Sequence, residues 1–116
     1  MMPVQPSCGQ IWLADFNPAR GHEQAGQRPV LIVSTNAFNH GPADLVFVLP
    51  LTRTHRGIPL YIPVDTPEDG LTAHSYVLCD AIRSISKDRL GPQPWGMLSR
   101  ETMMQVENWL RLLMDL

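Results

Sequence analysis

Cysteine is scarce in this 116-residue chain, and the two present, Cys8 and Cys79, fit no metal-ligand spacing. A zinc ribbon or disulfide framework is excluded; two reduced thiols are expected, with a single disulfide the lesser alternative. No run approaches the roughly eighteen apolar residues of a membrane span. The start, MMPVQPSC, has neither the basic residues nor the apolar stretch of a secretion signal, so a cytoplasmic protein with no membrane role is expected. His22, His40, His55 and His74 are dispersed and form no HxH or HExxH pattern, which argues against metal catalysis. P-loop, GxGxxG, GxSxG and CxxC motifs are also missing, and no cofactor is expected.

Charge of either sign is limited. Lys+Arg 9 against Asp+Glu 11 gives net −2 and a pI near 6, far from the average field of a nucleic-acid binder. Distribution matters more than the total. Residues 1–60 carry Arg20, Arg28, Arg53 and Arg56 against Asp15, Glu23 and Asp44, while the remainder is acidic overall. An anion site therefore belongs mainly to the first half, with Arg83 and Lys87 as additions.

Turn formers are plentiful. Eleven prolines and eight glycines predict short elements and a β-rich fold, and the length suits one domain over residues 1–116. Gln10 to Phe16 alternates as a strand with one core face. Asn17 to Gln27 reads as a long loop, and Val30 to Val33, led by Pro29, as a strand buried on both faces. Ser34 to Gly41 predicts a helical turn. Strands are expected at Leu45 to Leu51, at Leu60 to Val64 on an edge, at Tyr76 to Ile85 and at Trp95 to Leu98. Asp65 to His74 is a polar connector, and a helical turn is expected at Ser86 to Leu90. Ser99 is a good N-cap for a helix over Arg100 to Met114, whose Met103, Val106, Leu110 and Leu113 repeat on one face. Strands closed by one helix predict a small, curled β-barrel, with an open α+β sheet as the fallback.

Two residues stand out for chemistry. Arg28 sits at the join of the loop and a strand, where a planar, permanently charged guanidinium can grip a phosphodiester. Its ordinary reading is a surface arginine paired with Asp15, Glu23 or a carbonyl. Thr52 ends a strand on a hydroxyl suited to a phosphate oxygen or a ribose, although threonine is also simply a good strand residue. Arg53, His55, Arg56 and Arg83 can track an RNA backbone, and Phe16 can stack on a base or merely close a strand end. His55 lies three residues beyond Thr52, but no second histidine is placed beside it by the sequence. Trp12, Trp95 and Trp109 read as core or interface anchors.

Taken in order, GQIWLADFNP, GHEQAGQRPVLIVS, VLPLT, CDAIRSISKDRL and a G-x-L-S entry to the last helix resemble the MazF/PemK toxins of bacterial toxin–antitoxin pairs. The resemblance spans nearly the whole chain. It implies an SH3-like barrel, a homodimer, and a metal-independent endoribonuclease that shuts down translation and is neutralised by an acidic, partly disordered, MazE-like antitoxin. It maps the catalytic pair onto Arg28 and Thr52. The loop from Asn17 to Gln27, with Glu23 at the motif's acidic position, is implied to border the groove for single-stranded RNA. The reaction implied is attack of a ribose 2′-hydroxyl on the adjacent phosphorus, leaving 2′,3′-cyclic phosphate and 5′-hydroxyl ends. One departure is Ala81, where many relatives have a glutamine that contacts RNA.

Two other readings remain open at this level. CcdB, a gyrase poison, is similar in fold to this family, and the terminal LRLLMDL could serve a protein-binding surface of that kind. A degenerate homologue that binds RNA or antitoxin without turnover is the third, suggested by Ala81.

Overall fold

The computed structural model describes residues 4–17, 26–64 and 74–116. Among the described residues seven strands and two α-helices follow one another in the order β1 (Gln10–Asp15), β2 (Gln27–Ile32), α1 (Asn36–Asn39), β3 (Leu45–Thr52), β4 (Tyr61–Val64), β5 (Ser75–Leu78), β6 (Arg83–Ser86), β7 (Gly96–Met97) and α2 (Arg100–Met114), with a short 3-10 turn at Lys87–Arg89 between β6 and β7. All strand pairs are antiparallel, in the spatial order β4-β5-β3-β2-β1-β7, with β6 also on β3. The expected mainly β architecture, a curled barrel-like sheet with a C-terminal helix, is what forms. β4 lies at an edge, as expected from Pro63 within it and Pro59 just before it.

β3 organises the sheet. One side pairs with β2, whereas the other pairs first with β6, from Leu45↔Ser86 to Val48↔Arg83, and then with β5, from Leu51↔Val77. Pro50 stands in the interval between these two ladders. A residue without an N–H is least costly where no neighbour on that side asks for one. This arrangement corrects the expectation of one strand over Tyr76 to Ile85: the chain turns at Cys79 and Asp80, and two short strands result.

Both faces of the sheet are covered. Ile11, Leu31, Leu49, Leu51 and Val77 form one core with Met103 and Val106 of α2, while Trp12, Ala14, Val30, Ile32, Val48 and Ile85 form another on the opposite face. β1 therefore buries residues on both sides, where alternation alone suggested a single core face. Period-two patterning shows that a strand exists but does not reveal whether its second face meets water or another layer.

The helices begin as their caps predict. Thr35 Oγ1 accepts from the Phe38 N–H at 3.4 Å, and Ser99 Oγ accepts from the Thr102 N–H at 3.2 Å. Met103 and Val106 are buried, but Leu110 is only partly covered and Leu113 is 46 % exposed. The packed stripe is thus shorter than the periodicity suggested. Leu112, Met114 and Leu116 are exposed as well, so the terminal leucines do not pack on the chain's own sheet.

Candidate functional site

Strand register brings the two leading candidates together. β1 pairs Ala14 with Arg28, and β2 pairs Val30 with Pro50 and Ile32 with Val48. The β2–β3 ladder ends at Val30↔Pro50, and Arg28 and Thr52, the last residue of β3, lie two residues beyond it on their strands. Cross-strand partners share a face. A cleft of about 460 Å³ opens there, lined by Arg28 and Thr52 with Gln27, Arg53, Thr54, Ser75 and Trp95 over an apolar floor of Leu13, Pro29 and Leu51.

A smaller pocket of about 180 Å³ adjoins it where β3 exchanges β6 for β5. Phe16, Pro50, Leu78, Ala81 and Arg83 line this pocket, and Arg28 is again part of the wall. Arg28 thus belongs to both cavities. It is half-buried, and its Nε lies buried without a hydrogen-bond partner among the described residues. The alternative of a pairing with Asp15 does not hold, because an Asp15 carboxylate oxygen accepts from the Asn17 N–H at 2.9 Å and no ion pair joins it to Arg28 among the described residues. A buried guanidinium nitrogen without an acceptor among the described residues favours an anionic oxygen in the adjoining space.

The neck of the loop is built to aim β2. Asn17 Oδ1 accepts from the Gly26 N–H at 2.9 Å, the Gly26 carbonyl accepts from the Phe16 N–H at 3.0 Å, and Arg89 Nη1 donates to the Asp15 and Asn17 carbonyls at 3.0 and 3.2 Å. Gly26 has φ +89°, a backbone state that other residues rarely adopt. Asn17 therefore closes the loop rather than lining either cavity. Glu23, Arg20 and His22 lie outside the described residues, as does most of the connector expected at Asp65 to His74.

Phe16 is 4 % exposed and packed in the second core, with the Arg83 guanidinium 4.9 Å from its ring centroid. Its ring is covered on one side by a cation and forms part of the wall of the smaller pocket. Arg53 and Gln27 reach the cleft; His55 and Arg56 are exposed and line neither cavity. His55 and His74 instead flank Tyr76, with ring centroids 5.2 and 5.3 Å away, and Tyr76 is the cross-strand partner of Thr52. That second histidine comes from a sheet neighbour distant in sequence. Among the described residues no three His, Cys, Asp or Glu side chains cluster as metal ligands.

Both cysteines are free. Burial first, and the Asp80 charge second, push the Cys79 thiol up to about 12, which makes it an unreactive core group. Burial also raises Cys8, whose Sγ lies 3.8 Å from the Val33 carbonyl. Among the three tryptophans, Trp12 is buried and Trp109 packs against the first core, as anchors should. Trp95 does not follow them: it is 43 % exposed and stands in the cleft.

The chain resembles proteins of known structure throughout its length. It aligns at 26% identity with a MazF crystal structure from Deinococcus radiodurans, with a TM-score of 0.83 over 97% of this chain and 99% of that one. An endoribonuclease bound to its cognate antitoxin, from a mycobacterial species, is 33% identical with a TM-score of 0.78 over 96% of each chain. Endoribonuclease MazF of Staphylococcus epidermidis is 30% identical over 109 residues, 93% of this chain and 90% of that protein. The family described as PemK-like, MazF-like toxins of type II toxin–antitoxin systems matches residues 7–114. Arg28, Thr52 and both cavities fall within that span, and the chain belongs to this toxin family.

Proposed function

We propose that this protein is a sequence-specific endoribonuclease toxin that cleaves single-stranded RNA without metal, using Arg28 and Thr52. The observation that carries the reading is their convergence on one cleft. RNA supplies its own nucleophile, the 2′-hydroxyl, so the protein needs to position the phosphodiester and stabilise charge. Arg28 binds the phosphate as negative charge builds on its oxygens; guanidinium is too weak an acid to be a ready proton donor. Thr52 orients the phosphate or the attacking hydroxyl. The products are a 2′,3′-cyclic phosphate and a 5′-hydroxyl end. Gln27 and Arg53 contact neighbouring backbone, and Arg83 borders the smaller pocket beside Ala81.

The working unit in this reading is a cytoplasmic homodimer held in check by a MazE-like antitoxin. Support for such a partner comes from the mycobacterial relative bound to its antitoxin and from the uncovered apolar end of α2. No helix among the described residues is long and apolar enough to cross a membrane.

Purified protein incubated with EDTA and a mixed RNA pool tests the reading. Discrete cuts bearing 5′-hydroxyl ends are expected, and mapping them gives the target sequence. Intact RNA at high enzyme concentration would refute it, and gyrase-dependent DNA breakage in its place would establish a CcdB-like action.

A further inference from the structure

The cleft contains an indole that the chemistry just described does not use. Trp95 is held firmly and left uncovered. Its backbone N–H donates to the Ile11 carbonyl at 2.7 Å, Gly96 pairs with Ile11, and Pro92 and Pro94 restrict the approach to it. Exposure of 43 % is therefore not the sign of a loose segment. Trp12 provides the contrast: it is 2 % exposed, and its Nε1 donates to Gln10 Oε1 at 3.0 Å. The Trp95 indole N–H has no such acceptor among the described residues.

Sheet order fixes where the ring stands. Trp95 immediately precedes β7, which pairs with β1, whereas Thr52 ends β3; β1 and β2 lie between them. Leu13 and Pro29, cross-strand partners on β1 and β2, make the floor that joins the two walls. The cleft is thus bounded by an aromatic ring on one side and by Thr52 on the other, with Arg28 at the same opening.

We propose that Trp95 is the stacking platform for a nucleobase adjacent to the phosphodiester held at Arg28. The assignment rests on the proposed ribonuclease function and specifies how that site binds its substrate. Every base has a π-face, so such a platform holds single strands of many sequences, and stacking requires a base not engaged in a duplex. A protein partner is the competing occupant of an exposed tryptophan. Charge favours RNA: Arg28 and Arg53 share the cleft with the indole, and no carboxylate among the described residues lines it. Protein-interface cores are depleted of charge, and the end of α2, where Leu112, Leu113, Met114 and Leu116 are exposed with Arg111 and Asp115 among them, offers the larger apolar surface for such a partner.

The test uses full-length protein and a fluorescent RNA oligonucleotide carrying 2′-deoxyribose at the cut position, which binds but cannot be cleaved. By anisotropy, W95A should bind about five- to a hundredfold more weakly, and W95F within about threefold of the parent. W95L retains apolar bulk, so it serves if W95A fails to fold, and it should bind as weakly. Abasic substitutions along the oligonucleotide locate the stacked base: at one position, loss of the base should weaken the parent protein but not W95A or W95L. Equal affinity of parent and variants, or equal abasic losses in both, would overturn the assignment while leaving RNA cleavage intact. Reduced self-association of W95A in sedimentation, with RNA affinity unchanged, would assign the ring to a protein interface and overturn it too. Parent protein that neither binds nor cuts RNA would instead defeat the proposed function itself.

Discussion

The two cavities that share Arg28 are built from opposite materials. The larger carries hydroxyls, a second arginine and an amide, Thr52, Thr54, Ser75, Arg53 and Gln27, around an apolar floor; the smaller is lined by Pro50, Leu78, Ala81 and Phe16, with Arg83 its other charge. One has the groups to handle a phosphate; the other is mostly apolar apart from its two arginines. Their common wall is a guanidinium whose Nε lacks a protein acceptor among the described residues. Reaction and recognition can thus be adjacent without being the same site.

Substitutions that touch both cavities, or only one, sharpen this contrast. R28A acts on both and should lower the cleavage rate about a hundred- to a thousandfold, with circular dichroism unchanged. Near-parental turnover would remove Arg28 from the chemistry. T52V acts on the larger cavity alone; losing a hydroxyl that bonds a charged group should reduce kcat/KM about ten- to a hundredfold while the mapped cut sequence stays the same. R53A should leave the rate at saturating RNA nearly untouched yet reduce the salt slope of binding by about 0.7, the share of one phosphate contact on a single strand. A81Q acts on the smaller pocket alone. It should change the preferred cut sequence, read by mapping ends, with overall rate within about tenfold; an unaltered sequence would show that this pocket does not read RNA.

The smallest effect concerns Cys79, which lies in the turn beside the smaller pocket and faces the core. Its folded pKa is raised from an ordinary 9.0 to about 12, so its neutral form is favoured by folding. The stabilisation is complete below about pH 9 and is lost as pH rises toward 12. A thiol reagent at neutral pH should label Cys8 first and Cys79 only on unfolding; rapid labelling of Cys79 would contradict its burial.

Much of this architecture was legible in the residues, and the exceptions share a cause. Ser99, Thr35 and the β-branched run at Val30 to Val33 act locally, and the elements they predict are present. The division of Tyr76 to Ile85 was not visible, because the two halves pair with different stretches of β3, far away in sequence and adjacent only once the sheet forms. Arg28 and Thr52 were singled out by type and position, but their meeting in one cleft depends on how the strands pair, which no single strand encodes. Trp95 escaped notice as a cleft residue since β7 has only two residues and its pairing with β1 leaves little pattern. His74 became a neighbour of His55 through Tyr76 for the same long-range reason.

The dependence of the first core on α2 has a consequence for synthesis. Met103 and Val106 cover Ile11, Leu31 and Leu49, yet they are translated after every strand of the sheet. A nascent chain that has already displayed Arg28 and Thr52 to the cell still lacks the element that seals the layer beneath them. Until α2 is in place, the apolar side chains of the first core lack their cover, and the sheet that carries Arg28 and Thr52 lacks its full support.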